Sequence, residues 1–328
     1  MELPAFEHHR PATVTDAVDL LARYGDDVDI LAGGTDLLPN YKNRLNHKGH
    51  VVSLGGLDDL RECTPTKLGA LTRLVEIERS EELARALPVI VQTARAISSP
   101  PLREHGTVGG NLMLDTRCFF FNQSPMWRES KNSCLKAEGT TCLVIPNSED
   151  HCYATYSGEL AAALVVLGAS LVLRTAAGTR TVPVADYFVD EGIVRFRDRR
   201  PGELLVGVEI PADAQTLTAG YDKLRIRDSI DFPSLGVAIA YRLDGAGVLE
   251  RLHVCTTALR SKPDRLDEAV AGFLGRTPSA DLAAEIGQAC MAASVAYRNV
   301  PLDPKYRRKM VAVFVRRVLG ALDERWTS

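Results

Sequence analysis

The chain has 328 residues, more than one ordinary hydrophobic core accommodates, so two or three packed units are expected. Hydrophobic residues make up 45% and charged residues 25%, with 17 prolines, which excludes a fibre or a disordered polymer. A formal net charge of −3 argues against nucleic acid as a partner, because phosphate backbones call for a basic surface.

The amino terminus, Met1-Glu2-Leu3-Pro4, lacks the basic flank and apolar stretch of a secretory signal. The longest apolar run, Leu160 to Leu173, is shorter than the roughly 20 residues that cross a bilayer, so no membrane span and a cytoplasmic location are expected. In such a reducing compartment the seven cysteines are not a disulfide framework, which leaves core packing, metal ligation or catalysis.

In chain order, Val14, Ala17, Val18 and Leu21 follow helical spacing, with Thr13 and Asp16 suited to the start of a helix and Gly25 to its end. Val28 to Leu31 reads as a buried strand, followed by a glycine turn, a second helical stretch and the strand Val51 to Leu54, together an α/β unit over residues 1–55. A strand at Leu68 to Leu71 opens a second unit over 56–215, with helical patterns from Leu74 to Leu87 and Val89 to Ile97. It resumes at Ser157 with a helix to Leu167, a hairpin from Leu171 to Val184 and a strand at Leu204 to Ile210. Residues 112–156 interrupt it without periodicity. The third unit, 216–328, begins with strands at Tyr221 to Ile226, Leu235 to Leu243 and Val248 to Thr256, a three-stranded sheet. Three helices follow, at Leu266 to Leu274, Leu282 to Val295 and Tyr306 to Leu322.

Two glycine loops carry possible phosphate chemistry. Leu31-Ala32-Gly33-Gly34-Thr35-Asp36-Leu37 lies at a strand end, where backbone N–H groups converge on an anion and the Thr35 hydroxyl adds a donor. Asp36 repels such an anion unless it points away or holds a ribose hydroxyl. The plain alternative is a strand-to-helix turn. Thr107-Val108-Gly109-Gly110-Asn111 has the same ingredients, and two such loops suit a pyrophosphate gripped from both sides. Neither is the G-x-x-x-x-G-K-S/T phosphate loop or the G-x-G-x-x-G fingerprint, so ATPase and simple NAD-dehydrogenase readings lose support.

A-G-G-T-D and T-V-G-G-N, with Gly69-Ala70-Leu71-Thr72 between them, resemble the FAD-binding subunits of the xanthine dehydrogenase and carbon monoxide dehydrogenase family. The resemblance extends through Ser157-Gly158-Glu159-Leu160-Ala161, the strand Glu203 to Pro211 and Tyr221-x-Lys223. It implies a mixed α+β and α/β fold: a two-part FAD-binding domain of the vanillyl-alcohol-oxidase type and a carboxy-terminal sheet with helices. It also implies that residues 31–37, Thr72, Thr107, Gly109, Gly110, Asn111, Asp115 and Leu205 hold FAD, with Lys223, Asp231 and Phe232 near the isoalloxazine ring. Lys223 suits the negative charge of a reduced flavin and Phe232 suits a shield for one face. The bland alternative is a Lys223–Asp231 ion pair on adjoining strand ends.

Cys118, Cys134, Cys142 and Cys152 cluster in the irregular insertion, spaced C-x15-C-x7-C-x9-C. So long a loop is costly to order inside a compact domain, and four thiolates around one metal centre supply that order. The spacing matches neither the short ferredoxin run nor the paired C-x2-C zinc pattern, and the cysteines alone leave iron–sulfur, structural zinc and no metal at all open. Phe119, Phe120, Phe121 and Trp127 either exclude water from a redox centre or simply anchor the loop. Cys63, Cys255 and Cys290 read as buried thiols, and the histidines show no H-E-x-x-H spacing. No G-x-S-x-G elbow is present, so hydrolase chemistry is unsupported.

Asp115-Thr116-Arg117-Cys118, Asn122-Gln123-Ser124, Trp127-Arg128, Cys134-Leu135-Lys136, Cys142 and Cys152-Tyr153-Ala154-Thr155-Tyr156 resemble the insertion of the 4-hydroxybenzoyl-CoA reductase β subunits. Lys223-x-Arg225-x-Arg227-Asp228 and Asp231-Phe232-Pro233 read the same way. The resemblance implies a [4Fe–4S] cluster on the four cysteines and no catalytic acid or base in this chain. It further implies a small [2Fe–2S] subunit and a large molybdopterin subunit as partners, in a dimer of heterotrimers. Electrons from reduced ferredoxin would enter at the cluster, pass to FAD and leave for the [2Fe–2S] centres, serving reductive dehydroxylation of a hydroxybenzoyl-CoA. Two other readings stand beside it: a molybdenum hydroxylase sending electrons outward to NAD or a quinone, and a flavin-free scaffold whose insertion is a zinc-stapled docking module.

Overall fold

The computed structural model describes residues 2–327. Three sheets follow one another along the chain. The first is parallel, with β1 (Glu7–His9), β2 (Val28–Leu31) and β3 (His50–Ser53) in the order β1-β3-β2. Its helix, Val14–Tyr24, starts on a reciprocal cap between Thr13 and Asp16 and stops at Gly25, whose φ of 55° most side chains resist. Ala17, Val18 and Leu21 on its buried stripe share a core with Val28 and Val52 of the sheet and with Leu54 just beyond it.

The second sheet is antiparallel, ordered β4-β5-β8-β6-β7, with β4 at Cys63–Thr64, β5 at Lys67–Gly69, β6 at Ser170–Thr175, β7 at Gly178–Pro183 and β8 at Leu204–Glu209. The helical pattern expected from Leu74 to Leu87 is two helices, Leu74–Arg79 and Glu81–Ala86. Ser80 separates them by taking an extended conformation and capping the Leu83 N–H.

The third sheet contains β9 (Thr218–Leu224), β10 (Leu235–Leu243) and β11 (Leu249–Thr257). The two-residue strand β12 (Asp264–Arg265) adds a fourth member to the expected three, in the order β12-β11-β10-β9. Alternation along β10 divides the cores on its two faces. Val237, Ile239 and Tyr241 pack beneath the helices Ala280–Ala293 and Pro304–Leu322, while Ala238 and Ala240 belong to the core around the helix Glu159–Val166. Every residue of that helix is buried, and small Ala161, Ala162 and Ala163 allow it to lie between the second and third sheets. The helix expected at Leu266 to Leu274 shrinks to Asp267–Val270 and one 3-10 turn, because the chain reverses at Gly275 (φ 80°) to return its N–H to the Leu249 carbonyl.

The insertion spans the units. Arg128 donates to the carbonyls of Asn43 and Arg44 in the first, and the Phe119 N–H donates to the Asn299 carbonyl in the third. Its two ends are joined by a bridge between Arg117 and Thr155. Among the described residues no helix is long and apolar enough to cross a membrane.

One buried cation locks the third unit. Arg307 is fully buried and donates to the carbonyls of Ser234 and Tyr297, both at 2.8 Å, and of Ala258. Burial lowers its pKa to about 10. Arg307→Met leaves those carbonyls unsatisfied and should cost about 2–4 kcal/mol of stability. Urea denaturation followed by circular dichroism measures it, and a loss below about 1 kcal/mol would contradict this assignment.

Candidate functional site

The turn after β2 meets the second glycine loop at closest range through Gly33. A Cβ there would stand 1.9 Å from the carbonyl oxygen of His105, so only glycine lets the two segments touch. The backbone N–H groups of Gly33, Gly34, Thr35 and Asp36 find no acceptor among the described residues, and they precede the short helix Leu37–Lys42. A run of uncommitted donors at a turn is the chemistry that a phosphate takes.

Asp36 does not oppose an anion here. Its carboxylate accepts from Arg117 at 2.9 Å and from Asn40 at 2.9 Å. Burial pushes its pKa up while the Arg117 guanidinium pulls it down. The negative charge is therefore compensated before any ligand arrives.

The second loop contributes differently from the first. Val108 and Gly109 donate to the carbonyls of Thr72 and Ala70, and Gly110 donates to the Thr107 hydroxyl, so their N–H groups are already spent. Thr72 itself is fully buried, its hydroxyl given to the Glu62 carbonyl at 2.7 Å. What the loop offers a ligand is close approach and the Asn111 amide nitrogen, which has no acceptor among the described residues, while its oxygen takes the Leu160 N–H. Leu205 is buried in the main core on β8, next to Val206, whose carbonyl accepts from Ala70.

Lys223 and Glu159 form a buried ion pair at 3.0 Å, both side chains 3% exposed, and the Tyr221 hydroxyl donates to the same carboxylate at 3.1 Å. Burial raises the Glu159 pKa against the pull of Lys223, and burial lowers that of Lys223. The Lys223–Asp231 ion pair suggested by strand ends is not formed. Asp231 gives Lys223 only its backbone carbonyl, at 3.1 Å, and pairs its carboxylate with Arg227. Phe232 is 41% exposed and its ring faces the Arg117 guanidinium, 4.4 Å from the centroid. Arg117 thus touches the first glycine loop, the Phe232 ring and the closure of the insertion.

Cys118, Cys134, Cys142 and Cys152 are all buried and line one cavity, walled by Phe120, Phe121, Leu135, Leu143 and Val144 among others. Burial pushes the Cys118 and Cys152 thiols up to about 12, so thiolates persist here only against a compensating positive charge such as a metal centre. No three of the four sulfurs lie within 4.8 Å of one another. A single tetrahedral zinc ion at 2.3 Å would draw all four to roughly 3.8 Å apart, whereas a cluster binds each thiolate at a separate iron and spreads them. Four buried thiols around one cavity are a donor set for a metal centre, either a cluster or a single ion.

The cavity has a supporting shell that sequence reading missed. Lys136 is 3% exposed and donates to Asp115 at 2.8 Å, to the Thr116 carbonyl at 3.0 Å and to the Gly192 carbonyl at 3.1 Å. Burial opposes ionisation of Asp115, yet Lys136 and Arg195 together hold its carboxyl below the usual range. Asp115, expected at the flavin, therefore has its charge committed on the cysteine side. Gly192 presses so closely that a Cβ would lie 2.7 Å from the Cys152 sulfur, and the Glu191 carboxylate accepts from the Cys152 N–H at 2.9 Å. Lys136 and Arg117 sit inside motifs that the sequence displays, but nothing in their spacing announces the distant partners Gly192 and Asp36.

Comparison with known proteins agrees with this geometry. Residues 4–213 match the family described as FAD binding domain in molybdopterin dehydrogenase, and 219–322 match the CO dehydrogenase flavoprotein C-terminal domain. The carbon monoxide dehydrogenase medium chain of Afipia carboxidovorans is 29% identical over 322 residues, 96% of each chain. The 6-hydroxypseudooxynicotine dehydrogenase complex subunit alpha of Paenarthrobacter nicotinovorans is 26% identical over 98% of this chain and 95% of its own. A crystal structure of Cu,Mo-CO dehydrogenase superposes with a TM-score of 0.79 at 26% identity, covering 99% of this chain and 100% of that one.

Gly33→Ala tests the contact between the loops. The variant should bind FAD about tenfold or more weakly, a difference of about 1.4 kcal/mol, by flavin-fluorescence titration. Gly56→Ala, whose Cβ would meet nothing within 4 Å, should bind as the wild type does.

Proposed function

This chain belongs to the family of FAD-binding subunits of molybdopterin dehydrogenases and is an oxidoreductase subunit, and from that premise we propose that it also carries a [4Fe–4S] cluster, in a reductase of the 4-hydroxybenzoyl-CoA type. The observation that carries the proposal is the single cavity shared by Cys118, Cys134, Cys142 and Cys152, tied to the first glycine loop through Arg117. A cluster supplies one-electron transfer and FAD supplies exchange between one- and two-electron steps, so a chain holding both is an electron relay.

The chain's own residues bind and insulate. Gly33 to Asp36 would receive the pyrophosphate, with Asn111 donating from the facing loop. Arg117 neutralises Asp36 and covers Phe232, keeping the loop and the insertion in fixed relation. Lys136, paired with Asp115, lines the same cavity as the four cysteines, and its ammonium lies 4.8 Å from the Phe121 ring. Lys223, held between Glu159 and the Asp231 carbonyl, is fixed next to the loop that carries Phe232.

On this reading the substrate chemistry belongs to a large molybdopterin subunit, a small [2Fe–2S] subunit completes the complex, and a ferredoxin-type protein is the donor. The relatives are named as dehydrogenases, and that favours a second reading in which electrons run outward from a molybdenum hydroxylase to NAD or a quinone. A zinc-stapled docking module on a flavin-free scaffold is less favoured, since residues 4–213 match an FAD binding domain.

The two electron-transfer readings separate in one assay of the assembled complex. With a reduced ferredoxin-type donor and a hydroxybenzoyl-CoA thioester, dehydroxylation should proceed. A complex containing the Cys134→Ser chain should lose iron, keep its flavin and turn over at least about tenfold more slowly. Hydroxylation of N-heterocycles without any dehydroxylation, all cofactors being present, would overturn the reductase assignment.

A further inference from the structure

Glu7, His9 and His50 form a separate cluster on the first sheet. β1 and β3 pair in parallel with Glu7 opposite His50, and alternate residues of a strand share a face. Glu7 and His9 therefore project to the side on which His50 stands. The His9 Nε2 and His50 Nδ1 atoms are 3.1 Å apart, and Glu7 Oε2 lies 3.8 Å from the first and 3.4 Å from the second. Ligand atoms at 2.0–2.1 Å around one tetrahedral ion stand roughly 3.3–3.4 Å from one another. Three donors of the right chemistry already occupy three corners of such a site.

The neighbouring ring holds them there. Tyr24 ends the helix Val14–Tyr24 and stacks on His50 with centroids 3.7 Å apart and planes 18° from parallel, and on His9 at 5.0 Å and 28°. Both imidazoles are about four-fifths buried, at 19% and 20% exposure, while Glu7 at 71% is free to swing onto an ion. Orientation of imidazoles by packing is a common feature of metal sites. Sequence spacing hides this group because its members lie on two strands, and only the strand register brings them together.

We propose that Glu7, His9 and His50 bind one divalent transition-metal ion of the zinc type, with the remaining coordination position open to water. The ion would fasten β1, only three residues long, to β3. The opposite edge of β3 carries β2, which ends at Leu31 where the first glycine loop begins. Occupancy would thus firm the sheet from which that loop springs. A hydrogen-bonded trio with no affinity for metal is the competing account.

The test uses the full chain without a polyhistidine tag, its cysteine centre left filled, freed of loosely bound ions with a mild chelator and titrated with Co2+ and then Zn2+. One equivalent of Co2+ should bind with ligand-field bands but without the thiolate-to-cobalt charge-transfer band, which distinguishes nitrogen and oxygen ligands from the cysteines. Zn2+ should displace it and raise the melting temperature. Glu7→Gln, at an exposed position that leaves the fold intact, and His9→Gln should each weaken binding by about tenfold or more. Equal binding by wild type and Glu7→Gln, or no binding of either ion below millimolar concentration, would overturn the proposal.

Discussion

The ion pair between Arg117 and Asp36 is the contact on which the candidate site turns. It joins a residue adjoining a cysteine ligand candidate to the loop whose N–H groups are uncommitted, at 2.9 Å, with both side chains about three-quarters buried. Without Arg117, Asp36 would place an uncompensated negative charge where we propose that a phosphate sits. Without Asp36, Arg117 would lose the partner that fixes it over Phe232. Partly buried charges at such a junction contribute more than exposed ones, because losing either leaves the other desolvated and unpaired.

A second buried pair works in parallel. Glu159 opens the helix that lies between the second and third sheets, and Lys223 sits on β9, so their contact ties the helix end to the last sheet. The alanine faces of Glu159–Val166 and β10 let the sheets come close enough for the pair to form. Packing of small side chains thus sets the position of a charged group, and the charged group in turn borders the loop that holds Phe232.

Local features were legible in the sequence, and long-range partners were not. The Thr13 and Asp16 cap, the end at Gly25, the edges of β10 and the irregular insertion all follow from residues within a few positions of one another. The four cysteines that cluster in the sequence also line one cavity, although their spacing left the metal open. Lys223 pairs with Glu159 rather than Asp231 because two different elements bring them together, which no local pattern encodes. The second glycine loop looked equivalent to the first, yet it spends its N–H groups on the turn Ala70–Thr72 and on the Thr107 hydroxyl. Identical ingredients acquired different roles from their neighbours.

On the proposed reading one chain holds both a flavin and an iron–sulfur cluster. Metal and flavin analysis of anaerobically purified protein decides it. About four iron, four acid-labile sulfide and one FAD per chain are expected. Zinc in place of iron, or FAD alone with the cysteines free, would contradict it.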